Sequence, residues 1–377
     1  MTTHSILAGF AISNASLYRR LSVPLGDPAA WIEIGGDKIA LVRDLEMDRV
    51  RTNSDADIVT CPAEHQPSGG LSADRETATA QAAAQLLASR NIAVVTADRT
   101  LPYIFAWHLQ QAGIDVQYDE DLGVLDRRSK SDQEIESLAK AQAITEEVMR
   151  MMCETIANSE ANANGELQSG GSLLTSERVK SMAAIEFLNR GCTMGHGAIV
   201  ATAPHVADCH HSGEGALTTG VPVIVDLFPR DESTRYWGDC TRTVVHGEPS
   251  DIVKKMHTAV RAAKAASTAK LTAGNLAGDI HAAGEVVLLD AGYPLSRGEI
   301  TDHPSIQHGT GHGIGLDLHE PILLDHGGGK VLVNEVFTVE PGLYGRNVGG
   351  VRIEDMLVVT DGEARNLNQL HDGLDWR

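Results

Sequence analysis

No CxxC pair occurs in this chain. Its five cysteines, Cys61, Cys153, Cys192, Cys209 and Cys240, are odd in number and widely spaced. They supply neither a disulfide framework nor a thiolate zinc site, and they predict an intracellular, cytoplasmic protein. Positive charge is also short, with 31 Lys+Arg against 51 Asp+Glu and a net charge of −20. That balance repels phosphate backbones and anionic membrane surfaces, so neither nucleic acid nor membrane is an expected partner. Much of the acidity serves solubility, and some of it is available to a site. The opening stretch "MTTHSILAGFAISNASLYRR" lacks a basic leader, and its apolar run is too short to cross a bilayer, so no export signal is expected. A Walker loop, GxGxxG, a helical HExxH and a short-period repeat are likewise missing.

What is present reads as two α/β parts, the natural prior for 377 residues. Up to about residue 128, "WIEIGGDKIALV" predicts a hairpin turning at Gly35-Gly36. "DRETATAQAAAQLLASRN" and "LPYIFAWHLQQAG" predict helices, and "IAVVTA" a buried strand. The charged stretch "DRRSKSDQ", residues 126–133, is the expected linker. A capping box at Ser131 and Glu134 then opens a helix with Ile135, Leu138, Thr145, Val148 and Met152 at helical spacing. Residues 157–172, "ANSEANANGELQSGGS", predict a mobile surface loop, and further helices are expected at "LTSERVKSMAAIEFLNRG", 251–271 and 276–292.

Chemistry-bearing residues fall in three clusters. In "VPVIVDLFPRDESTRYWGDCTRTVV" an apolar strand runs into Asp226, a second strand carries Asp239, and "PRDEST" between them predicts a hairpin that brings both carboxylates together. In "VFTVEPGLYGRNVGGVRIEDMLVVT", Glu340 ends a β-branched run and Glu354 lies within the next, where Arg352 is an available structural partner. The stretch "HGTGHGIGLDLHE", residues 308–320, has too many glycines for a helix and predicts a strand from His312 through Ile314, Leu316 and Leu318. Taken alone, these acids also suit ordinary strand ends, and the histidines suit turns or a core. If the four carboxylates converge, neighbouring pairs repel by ~4 kcal/mol at ~4 Å and an effective dielectric of ~20, so such a site requires cations. Oxygen ligands with one imidazole suit manganese, cobalt, iron or zinc.

The ordered series Asp226, Asp239, His312, Glu340 and Glu354, with "HGTGHGIG", "TVEPGLY" and "GVRIED" around it, resembles the pita-bread metallopeptidases: methionine aminopeptidases, Xaa-Pro aminopeptidases (aminopeptidase P) and prolidases. The resemblance runs from about residue 130 to the end. The N-terminal part and "RRSKSDQEIESLAKAQAITEEV" resemble the two-domain Xaa-Pro aminopeptidase, prolidase and creatinase branch. It implies an α/β (α+β) protein with a creatinase-like α/β domain at 1–128. A catalytic pita-bread domain at 129–377 would follow, with a curved, mostly antiparallel sheet covered by helices.

The resemblance further implies two divalent ions, manganese foremost, with Asp226 on one, Asp239 and Glu354 bridging, and His312 with Glu340 completing the second. It makes Glu340, His319 and His210 catalytic, with His210 preferred to His211, and places His308, Arg352 and Tyr344 near a peptide substrate. A homodimer is expected on the same ground. The implied reaction is hydrolysis of the N-terminal peptide bond of peptides, Xaa-Pro in type, by a metal-activated water. A lyase or hydrolase of a small carboxylate, a prolidase restricted to dipeptides, a metal-free amidinohydrolase and a non-catalytic peptide-binding module stand as alternatives on the same fold. Two departures bear on substrate preference: the Asp226 to Asp239 spacing and the 157–172 segment are both longer than the family needs. Because His312 and His319 fall on opposite faces of a regular strand, a bulge or sharp twist between them is expected.

Overall fold

The computed structural model describes residues 4–297 and 299–377. Its backbone contacts divide the chain after Arg127 into two compact units.

The first unit contains β1 (Ser5–Phe10), β2 (Pro28–Ile34), β3 (Asp37–Leu41), β4 (Ile58–Thr60), β5 (Val94–Ala97) and β6 (Asp115–Tyr118) in one mixed sheet of order β4-β3-β2-β1-β5-β6. The β2–β3 hairpin turns at Gly35 and Gly36, both at positive φ, as the glycine pair requires. Successive residues of β1 enter different cores. Ile6 and Ala8 pack with Leu86, Leu87 and Phe105 of helices α3 (Arg75–Ser89) and α4 (Tyr103–Gln111), which follow α1 (Ala15–Leu21) and α2 (Met47–Asn53). Leu7 packs with Leu17 of α1 and Val50 of α2. Both faces are thus covered, which is why the strands read as continuous apolar runs. The "IAVVTA" strand is less buried than expected, since Val94 is 42% exposed.

A short helix, α5 (Leu125–Arg128), leads into the second unit, which opens on α6 (Asp132–Ala157). The capping box forms: Ser131 Oγ accepts from the Glu134 N–H, and the Glu134 carboxylate accepts from the Ser131 N–H. The 157–172 stretch is not a loose loop. It folds as a small antiparallel meander of β7 (Glu160–Ala161), β8 (Leu167–Ser169) and β9 (Ser172–Leu173). Asn162 Oδ1 closes its first turn by accepting from the N–H groups of Asn164 and Glu166, and Leu167 anchors it in the core with no exposed surface. Turn chemistry that reads as loop composition serves here to order the segment.

The chain continues through α7 (Ser176–Asn189), β10 (Cys192–Thr193), β11 (Ala198–Ala201), β12 (Pro222–Leu227), β13 (Arg230–Asp231), β14 (Cys240–Val245), α8 (Asp251–Lys270) and α9 (Ala277–Asp290). It ends with β15 (Gly311–Gly313), β16 (Glu320–Leu324), β17 (Val336–Val339), β18 (Gly342–Gly345), β19 (Gly349–Arg352), β20 (Asp355–Val358) and β21 (Arg365–Asn366). The strand pairs described in this unit are antiparallel and are distributed over several sheets, the largest of order β11-β12-β14 and β16-β15-β17-β20-β21.

Helices cover one face of each of these two sheets. Val223, Val225 and Leu227 of β12 pack against Met149 and Met152 of α6 and Phe187 of α7. Phe337 and Val339 of β17, with Leu357 of β20, pack against Ala277 and Ile280 of α9. Strand period two therefore turns Asp226, and by the same parity Glu340 and Glu354, away from the helices.

Candidate metal centre

The β12–β14 hairpin pairs Asp226 with Thr241 and Leu227 with Cys240, which sets Asp239 at the hairpin's open end close to Asp226. Gln142 of α6 grips that end: its Oε1 accepts from the Asp239 N–H at 2.8 Å and its Nε2 donates to the Asp239 carbonyl at 2.7 Å. On the other sheet Val339 pairs with Asp355, so Glu340 and Glu354 leave β17 and β20 at matching places. Glu354 thus lies in the break between β19 and β20, not within a strand. Thr241 Oγ1 donates to Glu354 Oε2 at 2.7 Å and the Thr241 carbonyl accepts from the Glu354 N–H at 3.1 Å, tying the two sheets together.

His312 comes from β15, whose N–H donates to Thr338 Oγ1 at 3.0 Å. A Cβ at Gly311 would sit 2.0 Å from the Thr338 carbonyl oxygen, so only glycine permits this approach. The strand expected to run on through Leu318 ends at Gly313, after a register shift between His312 and Gly313. The chain then turns through 314–319 before β16, and the two rings meet edge-on with centroids 4.3 Å apart. The irregularity expected between His312 and His319 is thus present, and both rings line one cavity.

That cavity, of about 750 Å³, is walled by Asp226, Asp239, Glu340, Glu354, His312, His319, His308, His210 and Arg352. Ligand atoms of Asp239, His312 and Glu354 lie within 4.8 Å of one another. His312 Nδ1 is 3.0 Å from the Gly313 carbonyl, which fixes the proton there and leaves the Nε2 lone pair facing Asp239 Oδ2 at 3.6 Å and Glu340 Oε1 at 3.8 Å. Asp226 Oδ1 is buried with no hydrogen-bond partner. A buried acceptor set with an unsatisfied carboxylate oxygen and an aimed imidazole nitrogen fits a divalent cation.

The electrostatics agree. Burial pushes Asp226, Asp239 and Glu354 above the usual carboxylate range, and mutual repulsion among the carboxylates adds to it at Asp239 and Glu354. Burial lifts Glu340 to about 7, against the pull of Arg352. Burial also lowers His312 and His308 to about 3, so both imidazoles are neutral at physiological pH.

A stability prediction follows. A raised carboxylate keeps its proton in the folded state, so its contribution is complete below the unfolded pKa and is lost as pH rises through the folded one. The depressed histidines act with the opposite sign, but only below about 6.5, their unfolded value. Between pH 7 and 8, then, the melting temperature of chelator-treated protein is expected to fall. Divalent metal, which takes the ionised form, is expected to stabilise it increasingly across the same interval. A chelated melting temperature that stays flat or climbs from pH 7 to 8 would contradict this account.

The remaining expected residues are placed as follows. His210 is exposed and lines the cavity, whereas His211 stacks on His205 with centroids 4.7 Å apart and is not part of the lining. His308 donates from Nδ1 to the Gly309 carbonyl at 2.8 Å, so its Nε2 accepts from the Tyr344 hydroxyl at 2.6 Å. Tyr344 itself has no exposed surface and does not line the cavity; its oxygen also accepts from Arg352 at 3.0 Å, so it holds those two residues from behind. Arg352 also donates to Asp226 Oδ2 at 2.6 Å.

Several lining residues were not anticipated, among them His196, Cys209, Arg297, Gln307 and Asp325. The glycines flanking His196 in "MGHGA" echo the "HGTGHG" pattern and were the available signal. Arg297 and Asp325 carry none.

Comparison with known proteins gives these observations a context. Over 172 residues the chain is 35% identical to "Probable dipeptidase PepE" of Mycobacterium tuberculosis, a stretch covering 45% of this chain and 43% of that protein. The chain thus spans less than half the length of that curated relative. Its fold is similar to a solved Xaa-Pro dipeptidase from Bacillus anthracis, with TM-score 0.80, 22% identity and coverage of 98% and 94% of the two chains. It is also similar to the prolidase from Pyrococcus horikoshii, with TM-score 0.79, 21% identity and coverage of 99% and 95%. These likenesses establish the mixed α/β, pita-bread fold expected from the sequence. The model of metallopeptidase family M24 matches residues 136–361, more than half of the chain and all five of the converging acid and imidazole positions, and the protein belongs to that family.

Proposed function

We propose that this protein is a metal-dependent exopeptidase that hydrolyses the N-terminal peptide bond of short peptides, Xaa-Pro in type. The observation that carries the reading is the convergence of Asp226, Asp239, His312, Glu340 and Glu354 on one cavity, with the buried Asp226 Oδ1 left without a hydrogen-bond partner. Its volume of about 750 Å³ is of the size that holds small-molecule ligands. Asp226, Asp239, His312, Glu340 and Glu354 would hold two divalent ions, manganese foremost. Bound there, they would lower the pKa of water and polarise the peptide carbonyl.

The chain's own residues take the other roles. Glu340, on the cavity wall, would accept a proton from the attacking water and return it to the leaving nitrogen. His319 or His210, both on the cavity wall, stabilises the oxyanion. His308 and Arg352, locked together through Tyr344, border the substrate. We further assign the protein to the cytoplasm and to a homodimer. Among the described residues, no helix is long and apolar enough to cross a membrane.

The test is a panel of Xaa-Pro dipeptides, Xaa-Pro tripeptides and proline-free peptides, assayed after chelation and re-addition of manganese, cobalt or zinc singly. Turnover restored by one of these metals, with cleavage after the first residue, is expected. No turnover of any peptide with all three metals would transfer the assignment to a lyase or hydrolase of a small carboxylate.

A further inference from the structure

A second cluster of metal-ligating side chains shares none of the five residues above. His281 and Glu285 sit one turn apart on α9 and so project from one face of it. His281 Nε2 is 3.3 Å from Glu285 Oε1 and 3.6 Å from Asp325 Oδ1, and His326 Nε2 is 3.1 Å from Glu285 Oε2. One ligand atom each from His281, Glu285 and His326 can be chosen so that all lie within 4.8 Å of one another. We propose that His281, Glu285 and His326, supported by Asp325, form a separate binding site for one divalent transition-metal ion.

Three observations support it. Glu285 Oε1 is buried without a hydrogen-bond partner, a costly state that a ligated cation relieves. The Arg297 guanidinium donates to His281 Nε2 at 3.0 Å, so that nitrogen carries the lone pair, and the Nδ1 proton goes to Thr310 Oγ1 at 2.9 Å. This is the tautomer, with an oriented outer partner, that metal-bound histidines use. The site already holds a cation, and that cation is a partly exposed side chain able to leave: Arg297 is 34% exposed and also bonds Asp325 Oδ2 at 3.0 Å. Two carboxylates against one guanidinium leave a net negative charge. The His326 side chain is 55% exposed and gives an ion a way in.

Two imidazoles with carboxylate oxygens select zinc, cobalt or nickel over calcium or magnesium. Occupancy would tie α9 to the turn after β16. Through Thr310, whose carbonyl accepts from the Glu340 N–H at 2.7 Å, it would also stiffen the approach to β15.

The experiment strips wild-type protein, His326→Ala, Glu285→Gln and Arg297→Ala with chelator and titrates each with Zn²⁺ and with Co²⁺. Bound metal is read by elemental analysis and by cobalt absorption, with circular dichroism to confirm folding. Wild-type protein is expected to bind one more ion than His326→Ala or Glu285→Gln, or to hold it about 10- to 100-fold more tightly. The extra ion is expected to persist in His312→Ala, which separates this site from the cavity centre. Arg297→Ala, which removes the competing cation, is expected to bind that ion more tightly than wild type. Equal stoichiometry and affinity in wild type and both ligand variants, or no gain in Arg297→Ala, would overturn the proposal.

Discussion

His312→Ala is expected to lose more than about 100-fold in kcat/KM together with bound metal. Loss of an outer partner of a metal ligand already costs 10- to 100-fold, and His312 would touch the ion itself. Among the five converging side chains it is the one nitrogen donor. Its Nδ1 contact with the Gly313 carbonyl and its N–H bond to Thr338 Oγ1 hold the Nε2 lone pair toward Asp239 and Glu340. Alanine removes the donor and leaves the Gly311–Gly313 backbone undisturbed, so the loss would be chemical and the protein would remain folded. His319→Ala separates the roles: it is expected to keep the metal and lose activity, because its ring lines the same cavity from the turn beyond β15. Full activity and undiminished metal content in His312→Ala would remove the ligand assignment altogether.

Asp226 and Glu340 were conspicuous in the sequence because each ends an apolar β-run, whereas His312 lies among glycines and was singled out only by the family resemblance. Antiparallel pairing then converts two separate runs into two facing acids, as with Glu340 and Glu354. Strand period also predicted that His312 and His319 need an irregular backbone between them, which the register shift supplies. Residues assembled from distant segments were not legible. His281 and Glu285 look like ordinary helix residues until the turn at Asp325 and His326 meets them. Tyr344, expected near the substrate by resemblance, has no exposed surface and bonds His308 and Arg352, contacts its place in the motif does not reveal. Periodicity reports which face a residue occupies, not what a remote element lays against that face.

Lys130 makes the same point with a larger energetic consequence. In the sequence it belongs to a charged stretch without apolar period, yet its side chain is 3% exposed and its ammonium bonds Glu320 Oε2 at 2.8 Å; the Glu320 side chain is 2% exposed. The other oxygen of Glu320 accepts from the Leu316 N–H at 3.1 Å and the Asp317 N–H at 3.4 Å. Gly315 lets the carboxylate in, since a Cβ there would lie 2.7 Å from it. The ion pair thereby pins the turn that presents His319 to the cavity.

Lys130→Met strips a buried carboxylate of its ammonium partner, and a loss of about 3–5 kcal/mol of stability is expected, read from denaturant unfolding. The double variant Lys130→Met/Glu320→Gln is expected to recover part of that loss, because the amide needs no counter-charge. The amide also no longer accepts from the turn as a carboxylate does, so kcat should stay low in the double variant even where stability returns. That separation distinguishes a residue that positions His319 from one that only stabilises the fold. Strictly additive stabilities around the cycle, or full kcat in the double variant, would show that Lys130 and Glu320 neither act as a pair nor hold the histidine in place.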